Sequence, residues 1–153
     1  MHVFGSSGVR GVAGEELTPQ DAMRVAEAAG SVWATDTDRV AVARDTRTTG
    51  RTFANAVTSG FTGTGFDVDR LGVVPTPGLQ AYCEAEGVPG LMVTASHNPP
   101  EYNGIKLVGS DGVELRRATL DAVERALDDA PAHARWDDMG TDRRVEHARA
   151  AYE

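Results

Sequence analysis

The chain has 153 residues, a formal charge of −8, a calculated pI near 4.9 and one cysteine. That length suits one domain with an adequate core, the acidity argues against nucleic acid, whose phosphates require a basic face, and the lone Cys83 excludes an internal disulfide framework. With no basic leader before an apolar run and no apolar stretch of membrane length, the protein is expected to be soluble and cytoplasmic, with neither nucleic acid nor membrane as partner.

After a short apolar start, "TPQDAMRVAEAAGSVW" (18–33) predicts a helix. Thr18 can cap it, Pro19 suits the first turn and Asp21 completes a capping box. Ala22, Val25, Ala26, Ala29 and Trp33 form its apolar stripe. "RVAVAR" (39–44) is β-prone and leads into the polar loop "DTRTTG". A second helix over about 50–62 would bury Phe53, Val57 and Phe61. "FDVDRLGVV" predicts a strand, "PTPG" a turn, and 78–86 a helix in which Cys83 shares an apolar face with Leu79 and Tyr82. Cys83 is therefore read as core rather than nucleophile. "GLMVTAS" (90–96) predicts a buried strand ending at Ser96, Asn103-Gly104 a turn, and "IKLVG" a returning strand. "LDAVERALDDA" predicts a last helix with Leu120, Val123 and Leu127 in register. Beyond Pro131 the polar composition predicts a linker, and "RRVEHARAAYE" starts in a helix-like manner.

Alternating strands and helices predict an α/β fold, a three-layer α/β/α sandwich around a mainly parallel, mixed sheet. The acidic residues are dispersed rather than gathered in a tail. Such a nearly lysine-free surface is similar to that of halophilic proteins, and a GC-rich genome gives the same composition.

In an open α/β sheet, ligands gather beyond the carboxyl ends of the strands. Four segments are candidates there: "FGSSGVRG" (4–11), "DTRTTG" (45–50), "VVPTPG" (73–78) and "TASHNPPEYNG" (94–104). They offer Arg10, Arg47, Arg51, His97 and Lys106 to an anion. Glycine-rich loops expose N–H groups that cradle phosphate, and arginine forks match its oxygens. Of the 15 basic side chains only Lys106 is lysine, ten residues after Ser96. Lysine can release its proton in a protein and arginine cannot. Strand alternation places Ile105 and Leu107 on one face and Lys106 on the other. A serine hydrolase fits poorly. Adjacent Ser96 and His97 do not form a triad, and no G-x-S-x-G elbow surrounds Ser96.

"TASHNPPEYNGIKL" (94–107) closely resembles the phosphoserine loop of the α-D-phosphohexomutases, the phosphoglucomutase/phosphomannomutase superfamily. The other three segments fall in that family's order, and the resemblance covers about residues 2–130. It implies an N-terminal, phosphoserine-bearing first domain over 1–130, with 131–153 as a linker and the start of the next domain. It implies a phosphohexomutase that interconverts hexose 1-phosphate and hexose 6-phosphate (glucose, mannose or glucosamine) through a hexose 1,6-bisphosphate, which also serves as activator. Ser96 would carry the phosphoryl group, Lys106 would act as general acid/base, Arg10 and His97 would line the site, and Ser6, Ser7, Arg47 and Asn98 would bind phosphate or substrate. Mg²⁺ would be held through phosphorylated Ser96 and a downstream domain. No Asp-rich metal loop, sugar-reading loop or fourth-domain phosphate clamp occurs in these 153 residues, so the chain alone is expected to fold without turning over. The partners expected are a phosphosugar and the remaining domains of the same enzyme. The alternative is a phosphosugar- or anion-binding module without turnover.

Overall fold

In the computed structural model, residues 8–146 are described. Six strands form one sheet in the order β1-β5-β4-β2-β3-β6. They are β1 (Val9–Val12), β2 (Arg39–Arg44), β3 (Asp67–Val73), β4 (Gly90–Val93), β5 (Tyr102–Val108) and β6 (Asp142–Arg144). β4, β2, β3 and β6 run parallel, and β5 runs antiparallel to both β4 and β1. The helices are α1 (Pro19–Trp33), α2 (Gly50–Gly63), α3 (Thr76–Glu86) and α4 (Arg117–Ala126).

Two cores explain the layers. α1, α2 and α4 bury their stripes against one sheet face, where Val40, Val42, Val68, Leu91, Val93, Ile105 and Leu107 point. α3 covers the opposite face, with Leu79 and Cys83 packed on Ala41, Ala43, Met92 and Val108. The result is the expected α/β/α sandwich on a mixed sheet. The predicted stripes of α1, α2 and α4 are all buried. Thr18 and Asp21 form a reciprocal capping box, with Thr18 Oγ1 accepting from Asp21 N at 3.0 Å and Asp21 Oδ2 accepting from Thr18 N at 2.9 Å. α3 ends at Gly87, left-handed at φ 66°, whose N–H donates to Cys83 O. Burial pushes the Cys83 thiol up to about 12. Thiolate is therefore scarce at neutral pH, and Cys83 is core.

Several expectations need correction. Val9–Val12, placed in an opening loop, is a strand, so Arg10 stands on the sheet. "PTPG" is not a free turn: Thr76 and Pro77 open α3, where proline's missing N–H needs no helical partner. β4 stops at Val93 rather than Ser96, and α4 runs over 117–126 rather than 120–130. Asn103-Gly104 makes no turn but lies inside β5. A Cβ on Gly104 would meet Val9 O at 2.5 Å and Thr94 O at 2.7 Å, so glycine here serves the close approach of three strands.

The segment past Pro131, expected to be a linker, packs on the C-terminal end of α2 and then on the sheet edge. Ala134 N donates to Gly63 O, Gly140 N to Thr62 O and Val145 N to Arg70 O. Arg143 and Arg144, expected in a helix, pair with β3 as β6, Val145 and Glu146 are not helical either, and residues 147–153 of that expected helix lie outside the described residues. A buried carboxylate draws this edge in: Asp69 is 1% exposed. It accepts from Arg143 Nε at 2.8 Å, Arg39 Nε at 2.9 Å and the Tyr82 hydroxyl at 2.8 Å. Burial pushes its carboxyl up, but the bonds from Arg143, Arg39 and Tyr82 outweigh that and hold it below the usual carboxylate range. Burial, then the bond to Asp69, pushes Tyr82 up to about 12.

Asp69→Asn should destabilise the fold by about 1–3 kcal/mol at neutral pH, the range for removing a partner of buried donors. Because the folded carboxyl is depressed, its contribution is complete above the unfolded value of about 3.9 and is lost as pH falls through the lower folded value. Urea unfolding of the two proteins should therefore converge in acid. A gap that persisted to the acid limit would refute this origin.

Candidate active site

The site is the loop that leaves β4 at Val93 and returns as β5 at Tyr102. Thr94 and Ala95 stay buried, while Ser96 and His97 emerge into solvent. Ser96 has φ 54°, and it is the only non-glycine with positive φ among the described residues. A left-handed serine costs on the order of 1 kcal/mol. It persists only where the surroundings over-determine it, and here they do.

Arg47, in the 45–50 loop before α2, reaches under the serine loop with its side chain only 10% exposed. Its Nη2 donates to the carbonyls of Ser96 and Asn98, both at 2.9 Å. Its Nη1 donates to Pro99 O at 2.6 Å and Tyr102 O at 3.1 Å. Its Nε donates to Asp45 Oδ2 at 3.3 Å. All five guanidinium donors are thus engaged. The guanidinium expected to meet phosphate grips the backbone of the loop instead.

A second chain of bonds fixes Ser96 from below. Its N–H donates to Thr94 Oγ1 at 3.1 Å, and that hydroxyl donates to Asp45 Oδ2 at 2.6 Å. Asp45 Oδ1 accepts from Arg47 N at 3.1 Å, an Asx turn that aims the 45–50 loop. Buried Asn103 bonds Thr49 Oγ1 at 3.0 Å and ties β5 to the same loop. Thr94, Asp45 and Asn103 were not among the expected site residues. The Asx pattern of "DTR" was the one local signal for Asp45.

Arg10 and Lys106 share one sheet face. Arg10 faces Gly104 across β1 and β5, and Lys106 faces Met92 across β5 and β4. They are therefore diagonal neighbours on the α3 side, opposite Ile105 and Leu107 as alternation required. Arg10 Nη1 donates to Asn98 Oδ1 at 3.3 Å, which places it beside the serine loop. Lys106 makes no hydrogen bond to Ser96; its Nζ lies 3.8 Å from Glu114 Oε1. His97 is exposed on the loop. Arg51 lines a different cleft, and Ser6 and Ser7 lie outside the described residues.

Among the described residues no three His, Cys, Asp or Glu side chains converge as a metal site. The one carboxylate beneath the loop, Asp45, is held by Thr94 and Arg47. These residues alone do not make up a Mg²⁺ site.

An α/β/α domain that presents a strained, exposed serine at a strand end beside a cation matches a known class. The chain belongs to the phosphoglucomutase/phosphomannomutase family, whose alpha/beta/alpha domain I model matches residues 1–133. It is 46% identical over 138 residues to a probable phosphoglucosamine mutase of Methanopyrus kandleri, covering 90% of this chain and 30% of that protein. It is 40% identical over 145 residues to a phosphoglucomutase/phosphomannomutase of Thermococcus kodakarensis, covering 90% of this chain and 31% of that protein. The crystal structure of a putative phosphomannomutase from Thermus thermophilus superposes with a TM-score of 0.82 at 34% identity, over 94% of this chain and 33% of that one. The chain thus spans about a third of the length of the curated relatives it matches.

Arg47→Lys keeps the charge but loses the planar fork. It should leave the sheet folded while releasing the loop, so amide exchange at Asn98 and Tyr102 should quicken by tenfold or more and that of β2 should not. Unchanged exchange at those two amides would show that the clamp does not hold the loop.

Proposed function

We propose that this chain is the phosphoserine domain of a phosphohexomutase, with its catalytic partners in further domains of the same enzyme. The enzyme interconverts hexose 1-phosphate and hexose 6-phosphate in the cytoplasm through a hexose 1,6-bisphosphate, which also acts as activator. The observation that carries this reading is the left-handed, solvent-facing Ser96, fixed by Arg47 and Thr94 at the end of β4. A group-transfer serine must hold its oxygen in one place and stay open to substrate, and this loop does both.

In this reading, phosphorylated Ser96 passes its phosphoryl group to the free hydroxyl of a hexose monophosphate. The bond from phosphorus to Oγ breaks as the bond to the sugar oxygen forms. The sugar turns over, and its other phosphate returns to Ser96. Phosphoryl transfer asks mainly for positioning and neutralisation of charge. Arg10 supplies positive charge beside the loop, where Asn98 orients it. His97 and Asn98 line the substrate side, and Ser6 and Ser7 would add hydroxyls there. Arg47 acts as a positioning residue through the loop backbone. On the outward transfer Lys106 gives a proton to the departing Oγ and its amine takes the proton that the attacking sugar hydroxyl releases, and the return runs the same exchange in reverse; for this its ammonium must swing from Glu114 towards the loop. Mg²⁺ would supply further charge neutralisation when bound. Of this chain's atoms it would meet only the phosphate on Ser96, and no step above is routed through it.

Purified enzyme carrying this domain should hold one substoichiometric phosphate, and peptide mapping should place it on Ser96. A phosphate on another hydroxyl, or turnover undiminished in Ser96→Ala, would overturn the reading. Lys106→Arg should lower kcat by about 10²-fold or more, the usual worth of a positioned acid/base, with KM and Ser96 phosphorylation little changed. A near wild-type rate would make Lys106 only a fixed charge.

A further inference from the structure

A second concentration of positive charge lies on the α2 side of the sheet, away from the serine loop. A cleft of about 440 Å³ is lined by Arg44 at the end of β2, Arg51 in the first turn of α2, Arg70 on β3 and Arg144 on β6, with Asn55 and Asp142. Four guanidinium groups converge there beside one carboxylate, in a chain of net charge −8.

The arginines are not consumed by ion pairs. Arg51 is exposed and makes no hydrogen bond or ion pair among the described residues. Among the described residues Arg44 donates only to a backbone carbonyl, Asp45 O, at 3.2 Å. Arg70 is bound to Asn55 Oδ1, and Asp142 lies at a loose 3.6 Å. Arg144 lies 3.9 Å from Glu146, with both side chains more than 80% exposed, an arrangement worth little in water. Like charges do not gather without compensation, and here the described residues supply little of it.

Backbone geometry reinforces the charge. The fourteen-residue α2 begins at Gly50, where an added Cβ would lie 3.4 Å from Arg44 Cδ, and its aligned peptide dipoles place partial positive charge near that arginine. β3 carries a bulge at Leu71, where Val42 faces Arg70 and Ala43 faces Gly72. Such a bulge bends the strand end and re-aims its side chains. Arginine forks from separate elements suit the tetrahedral, multiply charged oxygens of phosphate better than a single carboxylate.

We infer that the Arg44–Arg51–Arg70–Arg144 cleft is a second anion site, built for a phosphate-class dianion and separate from the Ser96 loop. It takes either inorganic phosphate or the phosphate of a phosphomonoester. The inference does not rest on Ser96 chemistry, and its failure leaves that reading untouched.

The test is an amide NMR titration of the 153-residue chain with inorganic phosphate at pH 7.5 and low ionic strength. Amides 50–52, 70–72 and 142–144 should shift saturably, and potassium chloride at matched ionic strength should not reproduce the effect. The double variant Arg51→Gln/Arg144→Gln should weaken these shifts about tenfold or more, as expected for losing charge-assisted hydrogen bonds, while any shifts at 96–98 remain. Both side chains are solvent-facing, and Arg51→Lys/Arg144→Lys, which keeps charge and fold, should weaken binding to a lesser degree. A parallel titration with glucose 6-phosphate separates the sources: tighter binding than inorganic phosphate assigns a phosphomonoester, and equal binding assigns phosphate alone. Cleft amides that stay unmoved, that respond equally to chloride, or that shift with wild-type affinity in both variants would overturn the site.

Discussion

The grip of one guanidinium on four carbonyls is the constraint on which the rest of the site depends. Arg47 takes the oxygens of Ser96, Asn98, Pro99 and Tyr102 and anchors itself on Asp45. A loop that projects beyond a sheet would otherwise leave those carbonyls to water and sample many shapes. Ordering each residue costs about 1–2 kcal/mol of backbone entropy, and a left-handed serine adds strain to that. Bonds to a charged donor contribute roughly 1.5–3 kcal/mol each before these costs, enough in sum to hold such a loop in one form. The strain at Ser96 is therefore sustained from a different loop, 49 positions away in sequence but adjacent across β2 and β4.

The antiparallel strand β5 is the second organising element. Had the chain crossed over to continue in parallel, a helix would have followed the serine, and the loop would have had no near return. Instead β5 doubles back beside β4 and then pairs with β1. This return brings Lys106 and Arg10 onto one face, with the bare Gly104 on β5 directly across from Arg10. A side chain at 104 would strike the carbonyls of Val9 and Thr94 and push the strands apart. Sheet register, a property of the core, thus sets the spacing of the charges at the site.

Much of the fold was legible because burial writes itself as periodicity. The stripes of α1, α2 and α4, the β2 run and the capping box at Thr18 all appear at their expected places. The failures have physical causes. Asn103-Gly104 carries a turn signal, yet its glycine answers a tertiary close approach that no local pattern encodes. β6 is three exposed, charged residues with no strand signature, and it exists because buried Asp69 bonds Arg143 across 74 positions. For the site, the serine loop was visible by resemblance, and the structure sets Arg10 beside Asn98 of that loop. The direction of a side chain was not visible. Arg47 and Arg51, four residues apart and grouped as one pool of cations, face different tasks, one under the loop and one in the α2 cleft.

Net charge looks at first like an objection to phosphate chemistry, since an acidic chain repels anions. Distance resolves it. At physiological salt the Debye length is about 8 Å, so dispersed acids on the far surface are screened from a ligand in contact with a guanidinium. Local arrangement then outweighs the total, provided that nearby acids are neutralised. That condition is met in three ways. Asp45 is absorbed by Arg47 and Thr94, and Asp69 by Arg39, Arg143 and Tyr82 on the far side of the sheet. At the α2 cleft a single carboxylate faces four arginines. The acidic exterior slows the approach of phosphates without abolishing their binding, and raising salt should narrow that penalty at long range while weakening the contacts themselves far less. The fold therefore separates two jobs of charge: solubility through a dispersed negative surface, and recognition through a few arginines whose competing acids have been tied down.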